Sequence, residues 1–190
     1  MNLERRAIEG IELRAEDGKP GVLSGYAVMF DKRSLDLGGF VEVVKPGAFT
    51  RSLKSGGDIL ALAHHDAGKP LARRSAGTLS LTEDATGLLV SITLADTTAA
   101  RDVAEDVRAG NIKGMSFGFS TKQDRWTRGV GNEPTLRELL DVDLHEVSAV
   151  TWPAYPDTSV AMRTLRQFGP EQETAQRLNA MRIRLLTIPL

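Results

Sequence analysis

The sequence predicts an α+β protein rich in β-structure, a many-stranded sheet or barrel with a few helices packed outside it. Three observations carry this expectation. Apolar and polar residues alternate through most of the first half, which is the period of half-buried strands. Turn signals built on Gly, Asp and Pro punctuate that alternation at short intervals. Only a few segments space their apolar residues as helices do.

Taken in order, residues 7–15 (AIEGIELRA) and 21–30 (GVLSGYAVMF) read as strands separated by the Asp17-Gly18 turn, and 39–44 (GFVEVV) as a third. Pro46-Gly47-Ala48-Phe49 opens a short helix that Ser55-Gly56-Gly57 closes. Residues 58–64 (DILALAH) read as a buried strand, and 77–83 and 87–94 as a hairpin turning at Asp84-Ala85-Thr86. Thr97 or Thr98 can cap a helix over 99–109, with Val103 and Val107 on one face and Gly110 as the stop. Residues 113–126 and 136–151 are strands, joined through Arg128–Pro134 as a hairpin loop or mobile flap. Pro153 to Pro156 ends the last strand, and 157–168 and 170–186 read as helical.

The chain of 190 residues suits one domain, or one domain and a tail. At that size it buries roughly 70% of its unfolded surface, so its core needs no disulfide or metal. There is no cysteine, which excludes a disulfide framework, a thiolate zinc site and a cysteine nucleophile, and fits a reducing cytosol. With 24 basic and 25 acidic residues, the chain lacks the basic excess of a nucleic-acid binder. The N-terminus lacks the apolar run of a secretory signal, and no stretch approaches the ~20 apolar residues needed to cross a bilayer. A soluble intracellular protein without a cofactor is expected.

Three segments can carry chemistry. In Gly114-Met115-Ser116-Phe117-Gly118-Phe119-Ser120, strand geometry puts Met115, Phe117 and Phe119 on one face and Ser116, Gly118 and Ser120 on the other. Gly118 leaves space beside Ser116, so the hydroxyl suits an accessible nucleophile; small polar residues on a solvent-facing hairpin edge would look the same. The second segment is Ala63-His64-His65-Asp66. Histidine titrates near neutral pH and can shuttle a serine proton, and the chain has three histidines, at 64, 65 and 145. One half-buried and one surface histidine without chemistry would also fit, and Asp66 reads as a loop or strand-end cap.

The third is Asp141 to Val150. There Glu146 shares a face with Leu144, Ser148 and Val150, and a carboxylate among apolar neighbours needs a partner such as an imidazolium. His145, on the opposite face, is the rival third member, and an exposed acidic strand edge is the plain alternative. A metal-dependent hydrolase using His64, His65 or His145 with Asp66 has less behind it. No helical HExxH pair exists, and neighbouring histidines in a strand point apart.

Together these segments resemble the prohead (capsid maturation) protease family of HK97-type phages. The matches fall in order: Gly25-Tyr26-Ala27 with Phe30-Asp31, Gly39-Phe40-Val41-Glu42, Pro46-Gly47-Ala48-Phe49, His65-Asp66, and Gly77-Thr78-Leu79 with Leu81. They continue with Gly110-Asn111-Ile112, Gly114 to Phe119, Glu146-Val147-Ser148, Val150-Thr151 and Pro153-Ala154-Tyr155, so that residues 20–165 are covered. The resemblance implies a serine endopeptidase with His65 as base, Ser116 as nucleophile and Glu146 as third member. The related herpesvirus assemblins use a second histidine in that place, which keeps His145 as the lesser candidate.

The resemblance also implies an assemblin-like β-barrel with surrounding helices, active as a homodimer. Its substrate would be the scaffolding segment of the major capsid protein, and the enzyme itself, cut inside the immature capsid in the host cytoplasm. Neither nucleic acid nor membrane is an expected partner. A non-enzymatic scaffold protein inside the capsid, on the same fold, is the alternative. Residues 1–168 would form the protease domain. Residues 169–190 would form a helical tail, either a segment removed by self-cleavage or a helix packed on the domain. After Pro70-Leu71 the chain has Ala72-Arg73-Arg74 where the family often has Gly-Arg, and no residue is assigned to an oxyanion hole.

Overall fold

The structure is a computed structural model and describes residues 3–7, 14–16, 21–131 and 133–151. Its elements run β1 (Glu4–Ala7), β2 (Arg14–Glu16), β3 (Val22–Met29), β4 (Phe40–Val44), α1 (Thr50–Lys54), β5 (Leu60–Ala63), β6 (Asp66–Arg73), β7 (Leu79–Glu83), β8 (Gly87–Thr93), α2 (Thr98–Arg108), β9 (Gly114–Thr127) and β10 (Thr135–Val150). The β-rich α+β expectation therefore holds. Among the described residues, however, the strands form two open sheets and do not close into one barrel. One sheet is six-stranded, ordered β1-β9-β10-β5-β6 with β4 also on β10; the other is four-stranded, ordered β2-β3-β8-β7.

The two sheets share one apolar core. Met115, Phe117 and Phe119 of β9 meet Leu23, Leu88, Val90 and Ile92 from the smaller sheet, all fully buried. Phe49 stands edge-on to Phe117 with centroids 5.8 Å apart, and Phe117 stacks on Phe119 at 5.0 Å. Burying rings of this size removes large apolar areas from water, the main drive for the sheets to pack. Helix α2 forms where its cap predicts: Thr97 accepts a bond from Ala100 N at 3.2 Å, and Ala100, Val103, Ala104 and Val107 face inward.

Strand β10 organises the larger sheet. It runs antiparallel to β9 along nearly its whole length. Its other edge is divided between two parallel partners, β4 on Thr135–Leu139 and β5 on Glu146–Ala149. Helix α1, in the β4-to-β5 crossover, fills the gap between them. Ala48 O accepts from Val142 N at 3.0 Å, and Ser52 Oγ accepts from Leu144 N at 2.9 Å. Backbone groups that would be orphaned in a gapped ladder are thereby satisfied.

The expected elements differ from this description at several places. Residues 66–73 form β6, which no strand pattern announced. It carries Gly68 and Pro70, and it can tolerate a proline because it lies at the edge of the sheet. Within the expected strand 7–15, Ala7 belongs to β1 and 14–15 to β2; residues 8–13 lie outside the described residues, as do the expected helices 157–168 and 170–186 and the tail 169–190. Among the described residues no helix is long and apolar enough to cross a membrane.

Candidate active site

The site is assembled on the face of the larger sheet opposite the aromatic core. Alternation along β9 sends Met115, Phe117 and Phe119 into the core and leaves Ser116, Gly118 and Ser120 on the other side. Across the ladder, Ser116 pairs with Ser148 and Gly118 with Glu146. That pairing depends on a bulge. Leu144 is opposite Phe119 and Glu146 is opposite Gly118, so His145 is an extra residue on β10. The bulge reverses the strand's phase. Leu144 joins the core, contrary to the expectation that it shares Glu146's face, while Glu146 and Ser148 line the site.

The histidine arrives on a two-residue turn. His64 and His65 join β5 to β6 between the paired Ala63 and Asp66, and both have positive φ, 52° and 62°. Two left-handed residues in a tight hairpin match its right-handed twist, but the position favours Asn or Gly over a branched ring. The turn is tied to β10 by His64 N donating to Ala149 O at 3.0 Å. His65 is thereby aimed at the sheet, and its Nδ1 lies 2.6 Å from Glu146 Oε1. With the carboxylate as acceptor, the ring proton sits on Nδ1 and Nε2 is the basic nitrogen.

Glu146 is 5% exposed, and its carboxylate has further neighbours. Ser148 Oγ donates to its Oε2 at 2.6 Å, and Arg5 Nε of β1 stands 3.6 Å from Oε1. Ser148 and Arg5 were not foreseen as site residues. The signal for Ser148 was present, since a residue two beyond Glu146 in a strand shares its face.

Ser116 is placed in the same patch but is not joined to His65. Its side chain is buried, and Oγ donates to the Arg6 carbonyl of β1 at 2.9 Å. Strand β1 runs antiparallel to β9 with Ala7 opposite Ser116, so the expected accessible hydroxyl is instead covered. Nor is the space at Gly118 open. A Cβ there would lie 2.5 Å from Glu146 Oε1, so the carboxylate occupies the room that the glycine leaves.

The remaining candidates separate. His145 Nε2 lies 2.8 Å from Ser120 Oγ, a pairing that was not anticipated. Asp66 is exposed at the start of β6, and its Oδ1 accepts from Gly68 N at 2.8 Å, as expected of a strand-end cap. His64 is exposed on the turn. Among the described residues no three His, Asp or Glu side chains gather as a metal-binding group. The assembled pair can orient an imidazole and steady its protonated form, which is what a base needs when it takes a proton from a nearby hydroxyl.

The fold is that of a phage capsid protease. It matches the bacteriophage T4 capsid assembly protease with a TM-score of 0.52 over 80% of this chain and 100% of that one, at 10% identity, a likeness of fold alone. Residues 9–171 match the family described as the caudovirus prohead serine protease, and the chain belongs to that family. It is also 31% identical over 149 residues to the prohead protease of Enterobacteria phage HK97, which covers 76% of this chain. The chain spans 61% of the length of that relative.

Proposed function

We propose that this chain is a serine endopeptidase of prohead maturation. It would cut the scaffolding segment of the major capsid protein, and itself, inside the immature capsid in the host cytoplasm. The observation that carries the reading is the short bond between His65 Nδ1 and Glu146 Oε1, in a patch that also holds Ser116, within a member of the prohead serine protease family.

In the proposed cycle Ser116 is the nucleophile. Its hydroxyl exchanges the Arg6 carbonyl for the basic nitrogen of His65 and then attacks a peptide carbonyl. His65 takes the proton and returns it to the leaving amine, and water releases the acyl-enzyme. Glu146 orients the ring and stabilises its charge. We assign this role to Glu146 rather than His145, which is engaged with Ser120. A homodimer is the expected active species. Residues 169–190, beyond a protease domain of 1–168, are the expected target of self-cleavage. We also infer kinship with the herpesvirus assemblins.

Co-expression with the major capsid protein, followed by mass spectrometry, tests the function. The wild type is expected to shorten the capsid subunit and itself, and Ser116→Ala to leave both intact. Equal cleavage by the two proteins would reject Ser116. An intact subunit beside the wild type would favour a capsid-internal scaffold without enzymatic activity.

A further inference from the structure

We propose that Ser148 and Gly118 are positioning residues, which together hold the Glu146 carboxylate in the orientation that meets the His65 ring. The inference rests on the protease reading above and extends it to two residues outside the His65, Ser116 and Glu146 set.

A carboxylate on a flexible glutamate side chain has several rotamers, and a base is oriented well only if one of them is held. Here each oxygen has one short bond. Oε1 takes the His65 Nδ1 proton at 2.6 Å, and Oε2 takes the Ser148 hydroxyl at 2.6 Å. Ser148 is fully buried, so no water stands ready to replace its hydroxyl. Truncating it would leave a buried carboxylate oxygen without a donor, which is unfavourable enough to make the group turn toward another partner. Arg5 offers one: its guanidinium already stands 3.6 Å from Oε1 and is half-exposed. A turn toward Arg5 would take the carboxylate from the histidine.

Gly118 acts from the other side. An added Cβ would lie 2.5 Å from Oε1, 2.9 Å from Cγ and 3.0 Å from Cδ of Glu146, and the first two are closer than real Cβ contacts come. The side chain would have to leave, and it cannot do so while keeping both short bonds. The register explains why the two residues act together. Gly118 is opposite Glu146 across the β9–β10 ladder, and Ser148 is two residues along the same face. One strand thus supplies a wall with no side chain, and the other supplies the acid and its hydroxyl donor.

The test combines kinetics with a readout that needs no turnover. The proton on His65 Nδ1, in so short a bond to a carboxylate, should give a far-downfield resonance in the NMR spectrum of the full chain, assigned by its loss in His65→Ala. Ser148→Ala and Gly118→Ala are expected to abolish or broaden that resonance. In both, kcat on a capsid-subunit peptide should fall by about tenfold to hundredfold with little change in KM. Ser148→Thr, which keeps a hydroxyl, should restore the resonance and most of kcat.

Retention of the resonance and of kcat in Ser148→Ala overturns the role of Ser148. A raised KM at unchanged kcat in Gly118→Ala overturns that of Gly118, because it would mean that the glycine makes room for substrate. Should Ser148→Ala fail to fold, loss of the resonance in folded Gly118→Ala together with its presence in Ser148→Thr supports the proposal, and the opposite pattern sinks it. A wild type that shows the resonance and its expected losses but cleaves nothing refutes the protease reading and leaves the positioning intact.

Discussion

Strands β1, β9 and β10 carry polar groups on both faces of the larger sheet, and the two sets are built differently. On the core side, Arg137 is 1% exposed and donates to Glu4, Glu42, Asp124 and Thr121 at 2.7–3.1 Å. Arg6 adds bonds to Glu4 and Glu42 at 2.7 and 2.9 Å. Each charge there has several partners. Burial pushes the Glu4 carboxyl up, but the hydrogen bond and charge of Arg137, with the charge of Arg6, outweigh it and hold the carboxyl below the usual glutamate value. On the site face a single carboxylate is held by two short bonds, and among the described residues the outer nitrogen of His65 has no partner. Redundant bonds lock a buried charge in place, whereas chemistry requires a group that keeps one position open.

Three experiments test that contrast. The largest expected effect is that of Arg137→Met, which leaves the Glu4 and Glu42 carboxylates buried without their main cation. It should cost about 3–5 kcal/mol in urea unfolding. A loss below about 1 kcal/mol would mean that the network is no more than a solvated cluster. The second effect is acid sensitivity. Because the Glu4 value is lowered in the folded protein, its contribution is complete above the ordinary glutamate value of 4.5 and is lost as pH falls through the lowered one. The wild-type melting temperature should therefore drop more steeply below pH 4.5 than that of Glu4→Gln, and parallel curves would contradict the network's role. The smallest effect is expected at the turn. His64→Gly relieves a left-handed backbone and should gain about 0.5–1 kcal/mol. The same change at His65 relieves a similar strain but leaves Glu146 Oε1 without its short bond, so it should bring no gain in stability, and it should abolish the proposed cleavage.

Much of the fold was legible because it follows from local pattern. Strands β3, β4, β5, β7, β8, β9 and β10 and helix α2 fall where alternation, turn residues and the Thr97 cap place them. Strand β6 was not, since Gly68 and Pro70 imitate a loop and only the edge location makes them compatible with a strand. His65 and Glu146 stood out in the sequence by residue type, but their contact did not. The His65–Glu146 contact depends on β5 lying beside β10, a tertiary fact. The face of Leu144 was misread because one bulged residue reverses every side chain beyond it, and alternation cannot reveal that. A carboxylate among apolar residues needs a partner at Glu42 as much as at Glu146: Glu42 lies in Phe40–Val44, a strand with no exposed residue, and its partners are Arg6 and Arg137.

The unforeseen β6 has a bearing on crowding. At high local concentration an open strand edge invites one chain to zip onto another. Residues 66–70 of β6 are all exposed, and they include an acid, a lysine and a proline that has no backbone N–H to offer. Such an edge is a poor template for a neighbouring strand. Fibril-like stacking of copies along β6 is discouraged by its own composition.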